Sequence, residues 1–125
     1  MIKKSDEEFV EFLFGHVKKE QPDFTSDYED ETLREMVKNG IKRAERYNFS
    51  TAEDITAFVS IMFEIAPNFD QHPPIKAVLE DEKFSPANRL EKLWSPVVTE
   101  EDWTDAEDAY DEKAWGYTKQ NTVQR

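Results

Sequence analysis

All six prolines of this chain (Pro22, Pro67, Pro73, Pro74, Pro86 and Pro96) fall between runs of apolar residues spaced three and four apart. A proline inside a helix removes a hydrogen-bond donor and clashes with the preceding turn. The chain is therefore cut into helical segments of bounded length, and with only three glycines it has few other places to bend. No stretch alternates apolar and polar residues over four or more positions, and Pro96-Val97-Val98-Thr99 is too short for a strand. The expected fold is all-α, a single-domain bundle of about five to six helices with no significant sheet. It is expected to span 1–117, with a frayed tail over 118–125.

The segments carry their own start and stop signals. Phe9, Phe12, Leu13, His16 and Val17 share one helix face, with Ser5 and Glu8 forming a capping box ahead of them and Gln21-Pro22 ending the run. A second helix is predicted from about Asp27 to Tyr47, with Leu33, Met36, Val37, Gly40, Ile41 and Ala44 in its apolar stripe. Acids at its start and Lys42, Arg43 and Arg46 at its end match the helix dipole, and Gly40 within the stripe permits close approach of another helix. Ser50 and Glu53 read as a second capping box, opening the most apolar helix (Ile55, Phe58, Val59, Met62, Phe63), which Pro67 stops. Phe69 to Pro74 is a link, and Pro74 then suits the first turn of a short helix with Ile75, Val78 and Leu79. Ser85-Pro86 opens another, with Leu90, Leu93 and Trp94. Thr99 and Asp102 start the last, on which Trp103, Ala106, Tyr110, Ala114 and Trp115 fall at inward spacing.

Composition limits what this bundle can do. Leu, Ile, Val and Phe supply 28 of 125 residues, about 22%, just above the level below which a highly charged chain stays disordered. The formal net charge is −12. Such a surplus repels phosphate, which excludes nucleic-acid binding through counterion release and disfavours an anionic membrane surface. No apolar run approaches membrane-spanning length, and Met1-Ile2-Lys3-Lys4-Ser5-Asp6 leads into charge rather than a signal region, so a cytoplasmic location is expected. The absence of cysteine excludes disulfides, thiolate metal sites and a cysteine nucleophile.

Chemistry-bearing patterns are sparse. His16 and His72 are the two imidazoles, without the spacing of a zinc site; His16 reads as a core-edge residue and His72 as a solvent-facing turn residue. The acidic run 105–112 lacks the glycine and the alternating ligands of a calcium loop, and no phosphate-cradling glycine loop is present. No catalytic residue, cofactor or metal is expected. The distinctive feature is the stretch from Glu100 to Glu112, with eight acids and no base. It reads either as a solvated helix face or as a docking surface for a basic protein partner. In the second reading Trp103, Tyr110 and Trp115 are aromatic anchors and Asp105, Asp108 and Asp111 steer association, with Phe69 and the Pro73-Pro74 link as a secondary contact.

Several stretches also carry a resemblance: Tyr47 to Val59, Met62 to Asp70, Ile75-Lys76-Ala77-Val78-Leu79-Glu80-Asp81, Ser85-Pro86-Ala87-Asn88-Arg89-Leu90, and the ending Asp111-Glu112-Lys113-Ala114-Trp115. Over about residues 30 to 115 the chain resembles small acidic helical proteins encoded beside type VI secretion effectors and their spike components in Gram-negative bacteria. The shared motifs are caps, a helix and a turn, so no catalytic residue carries over. The resemblance implies a non-catalytic adaptor or chaperone that binds a secreted effector or spike-tip domain. An immunity protein that neutralises a cognate toxin is the alternative. An acidic mimic of DNA follows from charge alone and is weakened by the mixed charges between Arg34 and Arg46.

Overall fold

The computed structural model describes the backbone of residues 6–116 and the side chains of residues 7–116. Among these residues the chain forms seven α-helices and no strand. They are α1 (Asp6–Glu20), α2 (Pro22–Thr25), α3 (Asp30–Glu45), α4 (Ala52–Glu64), α5 (Pro73–Leu79), α6 (Pro86–Leu93) and α7 (Glu100–Asp108). Short 3-10 turns at Phe69–Gln71 and Glu112–Trp115 complete the set. The seventh helix arises because Pro22, besides ending the first segment, sits in the first turn of α2, where a missing N–H costs nothing. The expected Ser5 cap and the tail over 118–125 lie outside the described residues.

The bundle is organised around α3 and α4. Gly40 makes their contact close: a Cβ there would meet Val59 Cγ2 at 3.1 Å and Met62 Sδ at 3.2 Å. α1 lies across α3 and buries Phe9, Val10, Leu13, Phe14 and Val17. That choice of face turns Phe12 outward, against expectation, and its exposed ring stacks on Phe9 at 6.2 Å and on the half-buried His16 at 6.0 Å.

The start of α4 falls one residue later than its sequence signal. Thr51 is the cap, its side chain accepting from the Asp54 N–H at 3.1 Å, in place of the expected Ser50–Glu53 pair. The physical reason lies upstream. α3 is terminated by Asn48 in a left-handed conformation at φ 72, which swings Phe49 into the core and leaves Ser50 as linker. Asn tolerates that conformation better than most residues.

The 3-10 turn at Phe69–Gln71 is held to α3 by a buried polar cluster. The Asp70 carboxylate, almost wholly buried, accepts from Arg43 Nε at 2.9 Å and from the Tyr47 hydroxyl at 2.6 Å. Burial, and then this hydrogen bond, push the Tyr47 phenol well above its usual value.

Candidate protein-binding surface

The acidic surface begins with a well-defined helix start. Thr99 Oγ1 accepts from the Asp102 N–H at 3.1 Å, and Asp102 Oδ2 accepts from the Thr99 N–H at 3.0 Å, a reciprocal capping box at the helix start expected from the sequence. Asp102 Oδ1 lies 3.2 Å from His72 Nε2; an ionised carboxylate can only accept, so that imidazole nitrogen carries the proton. The Thr99 N–H first, and His72 second, hold the Asp102 carboxyl below the ordinary range. His72 is therefore a partly buried tether between α5 and α7, not the solvent-facing turn residue that its place before two prolines implies.

α7 does not continue to Trp115 as its periodicity predicts. It stops at Asp108, and the chain turns back onto α3 and α4. Asn68 clips the turn from both sides: its Nδ2 donates to the Ala109 carbonyl at 3.0 Å and its Oδ1 accepts from the Asp111 N–H at 3.0 Å. Further on, Asn39 Nδ2 donates to the Trp115 carbonyl at 2.9 Å. Trp115 enters the core, 1% exposed, with its ring 4.5 Å from that of Phe63. Its indole N–H donates to the Tyr110 hydroxyl at 3.1 Å, which satisfies a polar handle that burial would otherwise strand. Tyr110 also hydrogen-bonds Tyr28, and burial followed by that bond pushes the Tyr28 phenol upward.

The residues expected to meet a partner thus divide. Phe69 is 0% exposed and Trp115 is buried, so both are core and present no ring to a partner. Tyr110 is 46% exposed, yet its hydroxyl is committed to Trp115. Asp111 is exposed but caps the last turn, its carboxylate accepting from the Lys113 N–H at 3.1 Å. Asp105 and Asp108 stand on the open side of α7 with no hydrogen bond or ion pair to their carboxylates among the described residues. Trp103 is half-buried and packs against the core, its ring 6.3 Å from Phe69.

One residue of this surface escaped the sequence reading. Trp94, grouped there with Leu90 and Leu93 as an apolar position, is 64% exposed and stacks on Trp103 with centroids 5.2 Å apart and planes at 18°. The available signal was its position at the C-cap of α6, immediately before Ser95-Pro96, where the stripe set by Leu90 and Leu93 ends. Together Trp94 and Trp103 put aromatic area beside a run of acids, which suits recognition of another protein.

Chemical alternatives find less material. Among the described residues no three His, Asp or Glu side chains converge to hold a metal ion, and no helix is long and apolar enough to cross a membrane. A cavity of 590 Å³ opens at the end of α3, where Arg46, Lys76 and Arg89 share the wall with Glu80 and Glu82. No family model matches this chain, and searches of curated proteins and of solved structures likewise find no match.

Proposed function

We propose that this chain is a non-catalytic protein-binding protein, an adaptor or chaperone that holds a basic effector or spike-tip component of a bacterial type VI secretion module before delivery. The observation that carries the reading is the way α7 is presented. Its carboxylates at Glu100, Glu101, Asp105, Glu107 and Asp108 are exposed, without a counter-ion among the described residues, on a helix fixed at one end by a capping box and at the other by the Asn68 clip. Unpaired like charges on one face repel each other, and a basic partner relieves that repulsion while being steered to the surface. The secretion module enters through the sequence resemblance, which supplies the kind of partner.

An immunity role draws on the same face, since an acidic plug suits the basic active-site cleft of a toxin that acts on nucleic acid. The two roles differ in consequence: an immunity protein abolishes toxicity, whereas an adaptor is needed for loading.

The test is capture of partners by the tagged full chain in its native host, followed by calorimetry with the purified partner. A basic effector or spike-tip protein that binds stoichiometrically, and loses affinity to an Asp105→Lys/Asp108→Lys variant, supports the reading. Toxicity rescue then separates immunity from loading. A purified partner indifferent to the charge reversal, or no specific capture, overturns it.

A further inference from the structure

Trp94 is the most exposed large apolar side chain among the described residues, and it is not loosely held. One face of its indole lies on Trp103, which stacks on Phe69, whose ring is 5.0 Å from Phe58 in the centre of the bundle. The aromatic column therefore runs from the core to the surface and leaves the outer indole face open. Docking onto a side chain already held by packing costs little conformational entropy.

Helical spacing places carboxylates around this column. Residues three or four apart share a helix face, which sets Glu100 and Glu107 beside Trp103 on α7, and Glu91 stands in the last turn of α6, just ahead of the Trp94 that closes it. All three acids are exposed, and none forms an ion pair among the described residues. No Lys or Arg occurs between Leu93 and Glu112, and the preceding Lys92 is drawn away over the Phe84 ring at 4.4 Å.

We infer that the Trp94–Trp103 platform receives an arginine side chain from a basic protein partner, its guanidinium lying on the outer face of Trp94 and its N–H groups directed to the flanking carboxylates. Guanidinium is planar and weakly hydrated, so it stacks on an indole while its edges still donate hydrogen bonds; an ammonium is compact and strongly hydrated and does this less well. The chain contains the same arrangement elsewhere. Arg34 lies 4.1 Å over the Phe14 ring while its Nε and Nη2 donate to Glu11 at 2.6 and 3.2 Å. The inference rests on the reading that the acidic end meets a basic protein, and it adds what that protein places there.

The full chain is titrated with three synthetic peptides of equal length: glycine alternating with arginine, with lysine or with leucine. Binding is followed by calorimetry and tryptophan emission. The arginine peptide is expected to bind about fivefold to tenfold tighter than the lysine peptide. Trp94→Leu is expected to abolish that preference at an unchanged melting temperature, and Trp94→Phe to keep part of it. Equal affinity for the arginine and lysine peptides, insensitive to Trp94→Leu but lost in Asp105→Lys/Asp108→Lys, overturns the platform and leaves the acidic docking surface standing. A leucine peptide that binds as tightly as the arginine peptide overturns it in favour of a purely apolar contact. Failure of both basic peptides to bind overturns the platform and the basic-partner reading together.

Discussion

Arg89 Nη1 donates to the Tyr47 carbonyl at 2.9 Å, so a side chain from α6 closes the end of α3 across forty-two residues of chain. The same buried guanidinium reaches the carbonyls of Asp81 and Phe84 through Nε, both at 3.0 Å, and that of Leu79 through Nη1 at 3.3 Å. Helix ends leave carbonyls without intrahelical partners, and the Arg89 guanidinium, on a side chain that is itself buried, supplies donors to carbonyls at the ends of α3 and α5. One cation answers both ends, and its positive charge faces the negative poles of two helix dipoles.

Removing that cation strands several carbonyls at once. Arg89→Met is expected to cost roughly 3 kcal/mol or more, because each buried group left unpaired forfeits its full desolvation penalty. That corresponds to a fall of roughly 10 °C in the melting temperature for a chain of this size. Arg89→Lys should recover only part of the loss, since an ammonium cannot span the same acceptors. Thermal melting by circular dichroism checks both variants.

Trp94 and Trp115 separate the surface from the core. Trp115→Ala removes a buried ring packed on Phe63 and is expected to cost about 3–5 kcal/mol, a large share of the stability of a domain this size. Trp94→Ala, on a side chain 64% exposed, should stay within about 1 kcal/mol of the parent. Denaturant titration of the two variants reads the difference directly, and comparable losses would place Trp94 in the core.

Charge reversal on the acidic segment should not behave uniformly. Asp105→Lys and Asp108→Lys alter unpartnered surface carboxylates, so melting and helicity should hold while affinity for a basic partner falls. Asp111→Lys also removes the cap on the Lys113 N–H beside the Asn68 clip and should lower stability by about 1 kcal/mol. Melting curves of the three single variants, recorded beside binding isotherms, distinguish the two kinds of acid.

Alkaline pH should weaken the fold. The phenols of Tyr47 and Tyr28 both titrate above their ordinary value in the folded chain, chiefly through burial. The folded state then keeps protons that the unfolded state releases, so stability is retained below roughly pH 10 and declines as pH rises beyond it. Tyr47→Phe, which also removes a hydrogen bond to Asp70, should melt lower at neutral pH yet show a shallower alkaline decline. Melting temperatures measured from neutral to strongly alkaline pH test the slope.

Local signals were the readable part of this chain. The helix starts at Thr99–Asp102 and at Ser85-Pro86 and the close approach at Gly40 all stand where the spacing put them, because each depends on residues within a turn or on the lack of a side chain. The shift from Ser50 to Thr51 is the limit of that legibility: two adjacent hydroxyl residues satisfy the same pattern, and the left-handed Asn48 upstream chose between them. The contacts of His72 with Asp102 and of Asn68 with Ala109 and Asp111 were not readable, since each joins residues thirty or more apart whose meeting depends on how the helices pack.

The sequence by itself determined that the chain is helical and, within a few residues, where most helices begin and end, because proline, capping side chains and helical spacing act over single turns. The tertiary structure decided which aromatic residues lie inside. Trp94 and Trp115 both follow apolar positions at helical spacing, yet the space beside Phe63 is filled by Trp115, and Trp94 is left on the surface against Trp103. Burial is a competition among distant side chains for a limited interior, and its outcome depends on packing that no local pattern encodes.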